Sequence, residues 1–461
     1  MKPQLHPDAA KNFDEKARVL LAAVAPEPRQ APAEPPTHMF RPGGHVAATF
    51  NAEDIGFKIT GKHDQLGRTT ARYFEYEGRR FGLEDEKYQA LARLSEGIQK
   101  TKAFRDLVSS KWVEDAIVDW LKAKFAGEAV PALGDYLAER CEADVKEHEI
   151  WFPVANLSVE SDLPFGNVVF RTISKEMLDR LEEGAQKAKE QGVKAGRGEE
   201  YAAQVDYSIH RMRQELQGLA ASTITVNAES GRAFEVALRE SGGAVTALGM
   251  YQVAATTIPE VTSYCALLGR ENVEEIRHLK VQSGSILSDS HQGIGKPVLN
   301  WHLSDKDVSE YKRLHGFDNV SELFTLECRT DFQEALLNAL LLYSRSTREK
   351  DMAGKLVYML VAIESVLLRN DSEPIQQNVG ERMAFMIAND LEKRRAAIRN
   401  LKAAYALRSR FVHHGHTIDQ LETIRAFMLD AWVLFLELAK ASRKFDTKEQ
   451  LIDHLEAMKL S

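Results

Sequence analysis

The spacing of apolar residues changes along the chain, and each change predicts a different kind of structure. Strand-like patterns occur in five short segments: Gly56–Thr60, Ala71–Tyr76, Ile150–Ala155, Asn167–Thr172 and Ser222–Val226. Helical spacing fills the region between the second and third of these segments, to about residue 146. It also predicts a charged helix over Ser174–Lys194, which Gly196 and Gly198 interrupt, and a further helix over Arg232–Met250.

From Thr330 onward the pattern becomes helical throughout, and this region contains a single proline, Pro374. Apolar residues three and four apart predict five helices: Asp331–Arg345, Met352–Leu368, Ile375–Ala388, Glu392–His413 and Ile418–Ala441. The second of these is apolar nearly all round, so we expect it at the centre of a helical bundle. Mixed segments followed by a helical bundle predict an α+β fold.

Proline distribution refines the division of the chain. Eight of the 14 prolines lie in the first 42 residues, and the proline-rich run Ala25–Pro36 predicts an extended arm, because proline interrupts both helices and sheet ladders. The predicted organisation is therefore a Pro-rich flexible arm or linker over residues 1–45 and three domains. These are a small mixed α/β domain over 46–148, a central mixed α/β domain over 149–329, and a helical domain over 330–461.

Composition limits the classes of function. A net charge of −8 and a pI near 6.0 argue against a protein that coats nucleic acid by bulk electrostatics, although a local basic site is compatible with them. Cys141, Cys265 and Cys328 lie far apart and form no C-x-x-C pair, which argues against a disulfide framework or a cysteine zinc site. With no signal-peptide pattern and no membrane-spanning run, we expect a cytoplasmic protein that contacts no membrane.

The segment Leu407-Arg-Ser-Arg-Phe-Val-His-His-Gly415 carries the candidate chemistry. At about 100° per residue, the side chains of Ala397, Leu401, Ala404, Leu407 and Phe411 fall in one apolar arc, and Arg408 lies inside it. Arginine keeps its charge, so this position is costly unless the guanidinium pairs or reaches a cleft. His413 lies about 140° from Arg408 around the same helix, with Ser409 between them, and Gly415 predicts the helix end.

Three segments together give a resemblance to a known family: Ala362–Leu368, Gly380–Ala384 and Tyr405–Gly415. Residues from about 330 to 445 resemble the HEPN superfamily of helical ribonucleases, and within it the ApeA-like branch of bacterial antiviral proteins. The family pattern is an arginine, a polar residue, three further residues and a histidine. Two copies of it form a metal-independent RNA-cutting site across a homodimer.

The resemblance implies catalytic roles for Arg408 and His413 and a supporting role for Ser409, which stands where asparagine, aspartate or histidine is frequent in the family. Histidine exchanges protons near neutral pH, and arginine holds a phosphate and its developing charge. The expected partners are an RNA substrate, a second copy of the chain and a phage-derived trigger. Cofactors and metals are not expected. Two further residues are weaker site candidates. His414 is a candidate for a further RNA-binding or catalytic side chain, and Glu364 is a candidate for a carboxylate that orients the catalytic pair.

Other interpretations stay open from the sequence. In a purely structural interpretation, Arg408 pairs with a helix carboxylate such as Glu364 and His413 caps the helix. His414 and His416 either help to bind RNA or only complement the carbonyl groups at the helix end. A zinc site at His413, His414 and His416 is disfavoured because adjacent histidines point apart. At the level of the whole protein, the rivals are a non-catalytic HEPN-like module for RNA binding or dimerisation, and a sensor whose mixed region binds a ligand.

Overall fold

The computed structural model describes residues 3–28, 61–64, 66–196, 198–257, 264–269, 275–282, 285–292, 300–349, 351–370, 372–414 and 420–460. The predicted strand Gly56–Thr60 and the residues Gly415 and His416 lie outside these ranges. The described residues divide into two compact units, one within Met1–His148 and Thr225–Val236 and the other within Glu149–Ile224 and Ala237–Ser461.

The first unit combines a small antiparallel sheet with four helices. Its strands are β1 (Ala25–Pro26), β2 (Gly61–His63), β3 (Thr69–Tyr76) and β4 (Arg79–Glu84), in the order β1-β4-β3-β2. Its helices are α1 (Pro7–Ala22), α2 (Asp85–Gln99), α3 (Ser110–Phe125) and α4 (Leu133–Asp144). A separate core forms where these helices meet, and it includes Leu91, Ile98, Phe104, Ile117 and Leu121. The strand predicted at Ala71–Tyr76 and the helical spacing to residue 146 are confirmed.

The flexible arm predicted over residues 1–45 is wrong for the part that the structure describes. Pro7 occupies the first turn of α1, where its missing N–H costs nothing and its fixed φ favours the helix. Ala17 and Leu20 of α1 are buried in the core of the first unit. Residues Ala25 and Pro26 pair with Gly82 and Phe81 at the edge of the sheet, a position that tolerates proline.

The larger sheet, with strand order β10-β5-β9-β8-β7, lies mainly in the second unit. These strands are β5 (Lys146–Ala155), β7 (Leu163–Phe165), β8 (Val168–Thr172), β9 (Ala220–Ala228) and β10 (Ala266–Leu267). Strand β6 (Leu157–Val159) pairs in parallel with β13 (Trp301–Leu303), and β11 (Glu275–Gln282) forms a hairpin with β12 (Ser285–Gln292). The strands predicted over Ile150–Ala155, Asn167–Thr172 and Ser222–Val226 are confirmed.

Five helices lie between and after these strands in the chain: α5 (Lys175–Lys194), α6 (Gly198–Leu216), α7 (Ser230–Leu248), α8 (Asp305–Leu314) and α9 (Phe317–Thr325). The C-terminal region is helical, as predicted, and consists of α10 (Asp331–Ser346), α11 (Met352–Leu367), α12 (Ile375–Ile387), α13 (Leu391–His414), α14 (Leu421–Lys440) and α15 (Lys448–Leu460). The sequence pattern did not predict α15. Strands and a helical C-terminal region together make the fold α+β.

One continuous hydrophobic core runs through the second unit. It includes Val154 and Phe170 from the sheet and Phe332, Ile363 and Phe435 from the C-terminal helices. The predicted boundary at residue 330 falls inside this unit, where Thr330 caps α10 and the backbone N–H of Phe332 donates to Asp446 O. A chain cut at residue 330 would therefore expose apolar surface on both pieces.

Candidate functional site on α13

Helix α13 carries the arginine–histidine motif, and local sequence explains its course. Asp390 accepts a hydrogen bond from the backbone N–H of Lys393 at 2.8 Å, which satisfies one of the first donors of the helix. Ala397, Leu401, Ala404 and Leu407 are buried, as the predicted apolar arc requires. Phe411 was expected in the same arc, but it is 39% exposed, because residues 409–413 extend past the buried part of the helix.

Arg408 lies at the border between the buried and exposed parts of α13, and its side chain is half-buried. Its Nε is buried and has no hydrogen-bond partner among the described residues. A buried donor without a partner is costly, and more so when it belongs to a charged group. The described residues therefore leave part of the hydrogen-bonding capacity of this guanidinium unused.

Glu364 does not pair with Arg408; it accepts a hydrogen bond from Tyr405 instead. The Tyr405 hydroxyl donates to Glu364 Oε1 at 2.8 Å, linking α13 to α11. Burial raises the pKa of Tyr405 well above its ordinary value, the bond to Glu364 raises it further, and the nearby charge of Arg408 opposes the shift. The alternative in which Glu364 forms an ion pair with Arg408 is not what the structure contains. Glu364, Tyr405 and Arg408 instead form a chain of neighbours.

Ser409 and His413 are exposed on the terminal part of the helix. Because both side chains lie outside the packed interior, the motif presents a hydroxyl and an imidazole to solvent on the part of the helix that follows Arg408. His414 is the last residue of α13, and nothing is described of its side chain. The motif thus lies at the end of the described part of α13, and the helix end predicted at Gly415 lies outside the described residues.

Arg382 on α12 provides a contrast with Arg408. Its guanidinium donates to both carboxylate oxygens of Glu373 at 2.7 and 2.8 Å, to Glu456 at 2.8 Å and to the backbone carbonyl of Leu367 at 2.8 Å. These bonds use four of the five N–H donors of the guanidinium, and such a bidentate arginine stabilises the bundle. Arg382 is also 2% exposed, so a substrate does not reach it.

Tyr405 is the site residue that the sequence pattern missed. A signal was present, because Tyr405 precedes Arg408 by three residues and therefore lies on the same side of the helix. Its partner Glu364 is 41 positions away in the chain, so only the packing of α11 against α13 reveals the pair.

The described residues contain neither a candidate metal-binding cluster nor a candidate membrane-spanning helix. No cluster of three or more histidine, cysteine, aspartate or glutamate side chains there is arranged to hold a metal ion. Among the same residues, no helix combines the length and apolar character that crossing a bilayer demands.

Comparisons with protein-family models, with curated protein sequences and with solved structures found no match to this chain.

Proposed function

We propose that the chain is a homodimeric, metal-independent endoribonuclease of the HEPN type, with Arg408 and His413 as its catalytic residues. The observation that carries the proposal is the Arg408 guanidinium, which has a buried Nε without an acceptor among the described residues. Ser409 and His413, which follow Arg408 on α13, are both exposed. In the proposal, an RNA phosphate binds the Arg408 guanidinium through its N–H donors.

The reaction needs no group beyond those of the motif and the RNA. The ribose 2′-hydroxyl attacks the adjacent phosphorus and gives its proton to a neutral imidazole, while the bond from phosphorus to the 5′-oxygen breaks. A protonated imidazole supplies the leaving 5′-oxygen with a proton. Arg408 stabilises the negative charge that develops on the phosphoryl oxygens. The products are a 2′,3′-cyclic phosphate and a 5′-hydroxyl.

A second copy of the chain completes the site in this proposal. On an ideal helix Arg408 and His413 diverge by about 140°, so one copy does not direct both at a single phosphate. Exposed apolar side chains accompany the motif: Phe411 and Val412 on α13, which are 39% and 54% exposed, and Val361 on α11, which is 37% exposed. Val361 lies one turn before Glu364, and Glu364 contacts Tyr405 on α13. This apolar area lies next to the motif, where a homodimer contact would bring two motifs together.

The biological role in the proposal is that of a toxin-like effector in antiphage defence. The N-terminal and central regions would restrain the nuclease until a phage-derived trigger releases it. Support for this role is the resemblance of the Tyr405–Gly415 segment to ApeA-like proteins, together with a first unit that has its own core and is therefore suited to a separate task.

The test incubates the purified full-length chain with total RNA in the presence of a chelator. We expect cleavage that leaves 2′,3′-cyclic phosphate ends, with DNA left intact. Arg408→Ala and His413→Ala should each lower the rate by roughly 100- to 10,000-fold, and Ser409→Ala by less. Arg410→Ala is the matched control, because Arg410 is an exposed arginine on the same helix, and it should cleave at the normal rate.

Two results would sink the catalytic assignment. One is RNA cleavage that persists in both Arg408→Ala and His413→Ala; the other is cleavage that chelator abolishes. Binding of RNA by the unmodified chain without any cleavage would favour a binding or dimerisation module instead. Growth inhibition on expression, compared between the same variants, provides an independent readout.

A further inference from the structure

Helix α13 has a charge balance opposite to that of the whole chain. Its 24 residues include seven lysines and arginines but a single acidic residue, Glu392. The chain as a whole carries a net charge of −8. From residue 393 to the end of the helix at His414, the sequence contains no aspartate or glutamate. Positive charge is therefore concentrated on the helix that carries the arginine–histidine motif.

Three of these cationic residues are exposed and lie on one side of the helix. They are Arg395, Arg399 and Lys402, which together we call the basic stripe. At about 100° per residue their side chains fall within about 60° around the helix axis, and His413 falls in the same arc. Arg408 lies about 140° from His413. The basic stripe is therefore on the side of the helix that carries the histidine of the motif.

The charges of the basic stripe repel one another and are poorly neutralised. Arg395 and Arg399 are four residues apart, and Arg399 and Lys402 are three apart, so like charges are neighbours on the helix surface, which is destabilising. Arg399 and Lys402 form no hydrogen bond or ion pair among the described residues. Arg395 lies 3.3 Å from Glu392, but both side chains are more than half exposed, so solvent screens this pair. A bound polyanion would remove the repulsion that the described fold leaves.

Carboxylates of the neighbouring helices that bond to α13 do so away from the basic stripe. Asp430 on α14 accepts a hydrogen bond from Asn400 at 2.8 Å, and Glu364 on α11 accepts one from Tyr405. Around the helix axis, Asn400 and Tyr405 lie about 130° and 90° from the centre of the basic stripe. These two carboxylates therefore leave the side of the helix that carries the basic stripe open to an external anion.

The linear arrangement of the cations fits a nucleic-acid strand better than a small anion. At 1.5 Å per residue, Arg395 and His413 are about 27 Å apart along the helix axis. This is the length of roughly eight stacked nucleotides at about 3.4 Å each. Cations in a line contact successive phosphates of one strand, whereas a small anion needs cations that converge on one point.

We propose that unpaired RNA binds along α13, with its phosphates on the basic stripe and its scissile nucleotide at His413 of the same chain. The second copy of the chain then supplies Arg408. An unpaired strand is favoured because attack by the 2′-hydroxyl requires this oxygen, the phosphorus and the leaving oxygen to align, which the geometry of a base-paired A-form helix opposes. This inference rests on the proposed nuclease function and specifies which chain of the homodimer holds the strand.

The salt dependence of RNA binding tests the basic stripe. Fluorescence anisotropy on the full-length His413→Ala chain, in which cleavage is suppressed, measures binding of an unpaired RNA of about 12 nucleotides. Replacing Arg399 and Lys402 together by glutamine should lower the slope of log K against log salt by about 1.4, which is about 0.7 for each phosphate contact. Affinity at about 0.1 M salt should fall roughly 10- to 30-fold. Both side chains are exposed and glutamine is a good helix former, so this variant should fold.

Lys393→Gln is the matched control for Lys402→Gln. Lys393 is a lysine on the same helix, its side chain is 79% exposed, and it lies about 160° from Arg395 around the axis. Lys402→Gln alone should lower the salt slope by about 0.7, whereas Lys393→Gln should leave it unchanged. Equal slopes in the two variants would overturn the proposal. Tighter binding of an RNA duplex of the same length would overturn the assignment to unpaired RNA.

Co-expression of two different variants tests which chain holds the strand. An Arg408→Ala chain supplies His413 and a His413→Ala chain supplies Arg408, so their heterodimer should regain one active site. Replacing Arg399 and Lys402 by glutamine on the Arg408→Ala chain should raise KM for unpaired RNA roughly 10-fold and leave kcat unchanged. The same replacements on the His413→Ala chain should change neither constant. An equal effect from both placements would overturn the assignment of the strand to the chain that supplies His413.

The two experiments also separate this inference from the proposed function. If no chain cleaves RNA but the salt slope depends on the basic stripe, the RNA-binding surface stands and the nuclease is rejected. If cleavage depends on Arg408 and His413 but replacing the stripe residues changes neither the salt slope nor KM, the nuclease stands and the basic stripe is rejected.

Discussion

Replacing Glu373 by glutamine tests whether the buried Arg382 cluster stabilises the helical region. Arg382 is 2% exposed and the Glu373 side chain is 14% exposed, so solvent screens their interaction weakly. Hydrogen bonds from Arg382 lower the pKa of Glu373 from its ordinary value of 4.5 to about 2. That difference corresponds to about 3 kcal/mol in the free energy of unfolding.

The sign follows from the direction of the shift. Glu373 has a lower pKa in the folded chain than in the unfolded chain, so its contribution is fully present above about pH 4.5 and is lost as the pH falls toward 2. Glu373→Gln keeps an oxygen acceptor for Arg382 but carries no charge. We therefore expect the variant to be less stable than the natural chain at pH 7, by up to about 3 kcal/mol, and the difference to shrink below pH 4.

Urea unfolding followed by circular dichroism at a series of pH values measures this difference. Glu392→Gln is the control, because Glu392 is 80% exposed and pairs only with Arg395 on the surface of α13. Such a surface pair contributes about 0.5 kcal/mol or less. The reasoning is refuted if Glu373→Gln and Glu392→Gln have the same stability at pH 7, or if the Glu373→Gln difference does not change with pH.

Two further predictions concern packing and accessibility. Gly380→Ala should raise the free energy of unfolding by about 0.4–1 kcal/mol, because Gly380 lies inside α12. An added Cβ would meet Leu401 Cδ2 at an ordinary contact distance of 3.4 Å. A lower stability in urea unfolding would show that the helices cannot accept the methyl group. A thiol reagent should label only Cys328 in the native chain, because Cys328 is exposed whereas Cys141 and Cys265 are buried. Burial also raises the pKa of the Cys141 thiol to about 11, which lowers its reactivity. Labelling of more than one thiol per chain before denaturation would contradict the buried positions.

The helical region shows what local pattern can predict. Apolar spacing predicted a helix over Glu392–His413, and the structure has Leu391–His414. The repeat of about 3.6 residues is a property of the helix itself, so the residues of one segment are enough to identify it. The same reasoning predicted the buried face formed by Ala397, Leu401, Ala404 and Leu407.

Composition misled the interpretation of the N-terminus. Proline count predicted an arm, yet Pro7 begins a helix whose Leu20 is 3% exposed. Proline opposes a helix in its interior and favours it in its first turn, so the position of each proline matters more than their number. The burial of α1 depends on helices α2 and α4, which lie later in the chain.

In the candidate site, too, some features follow from the local sequence and others from tertiary packing. The chain by itself determined that Arg408, Ser409 and His413 lie on one helix, which the structure has as α13. Only the tertiary structure decided that Phe411 is exposed and that Glu364 bonds to Tyr405. It also decided that Arg408 Nε has no partner among the described residues, whereas Arg382 is buried and bound by two carboxylates. The physical reason is that periodicity records which side of a helix is apolar. Packing between distant segments decides where the neighbouring helices end and which carboxylate contacts which arginine. A local sequence pattern contains no information about that packing.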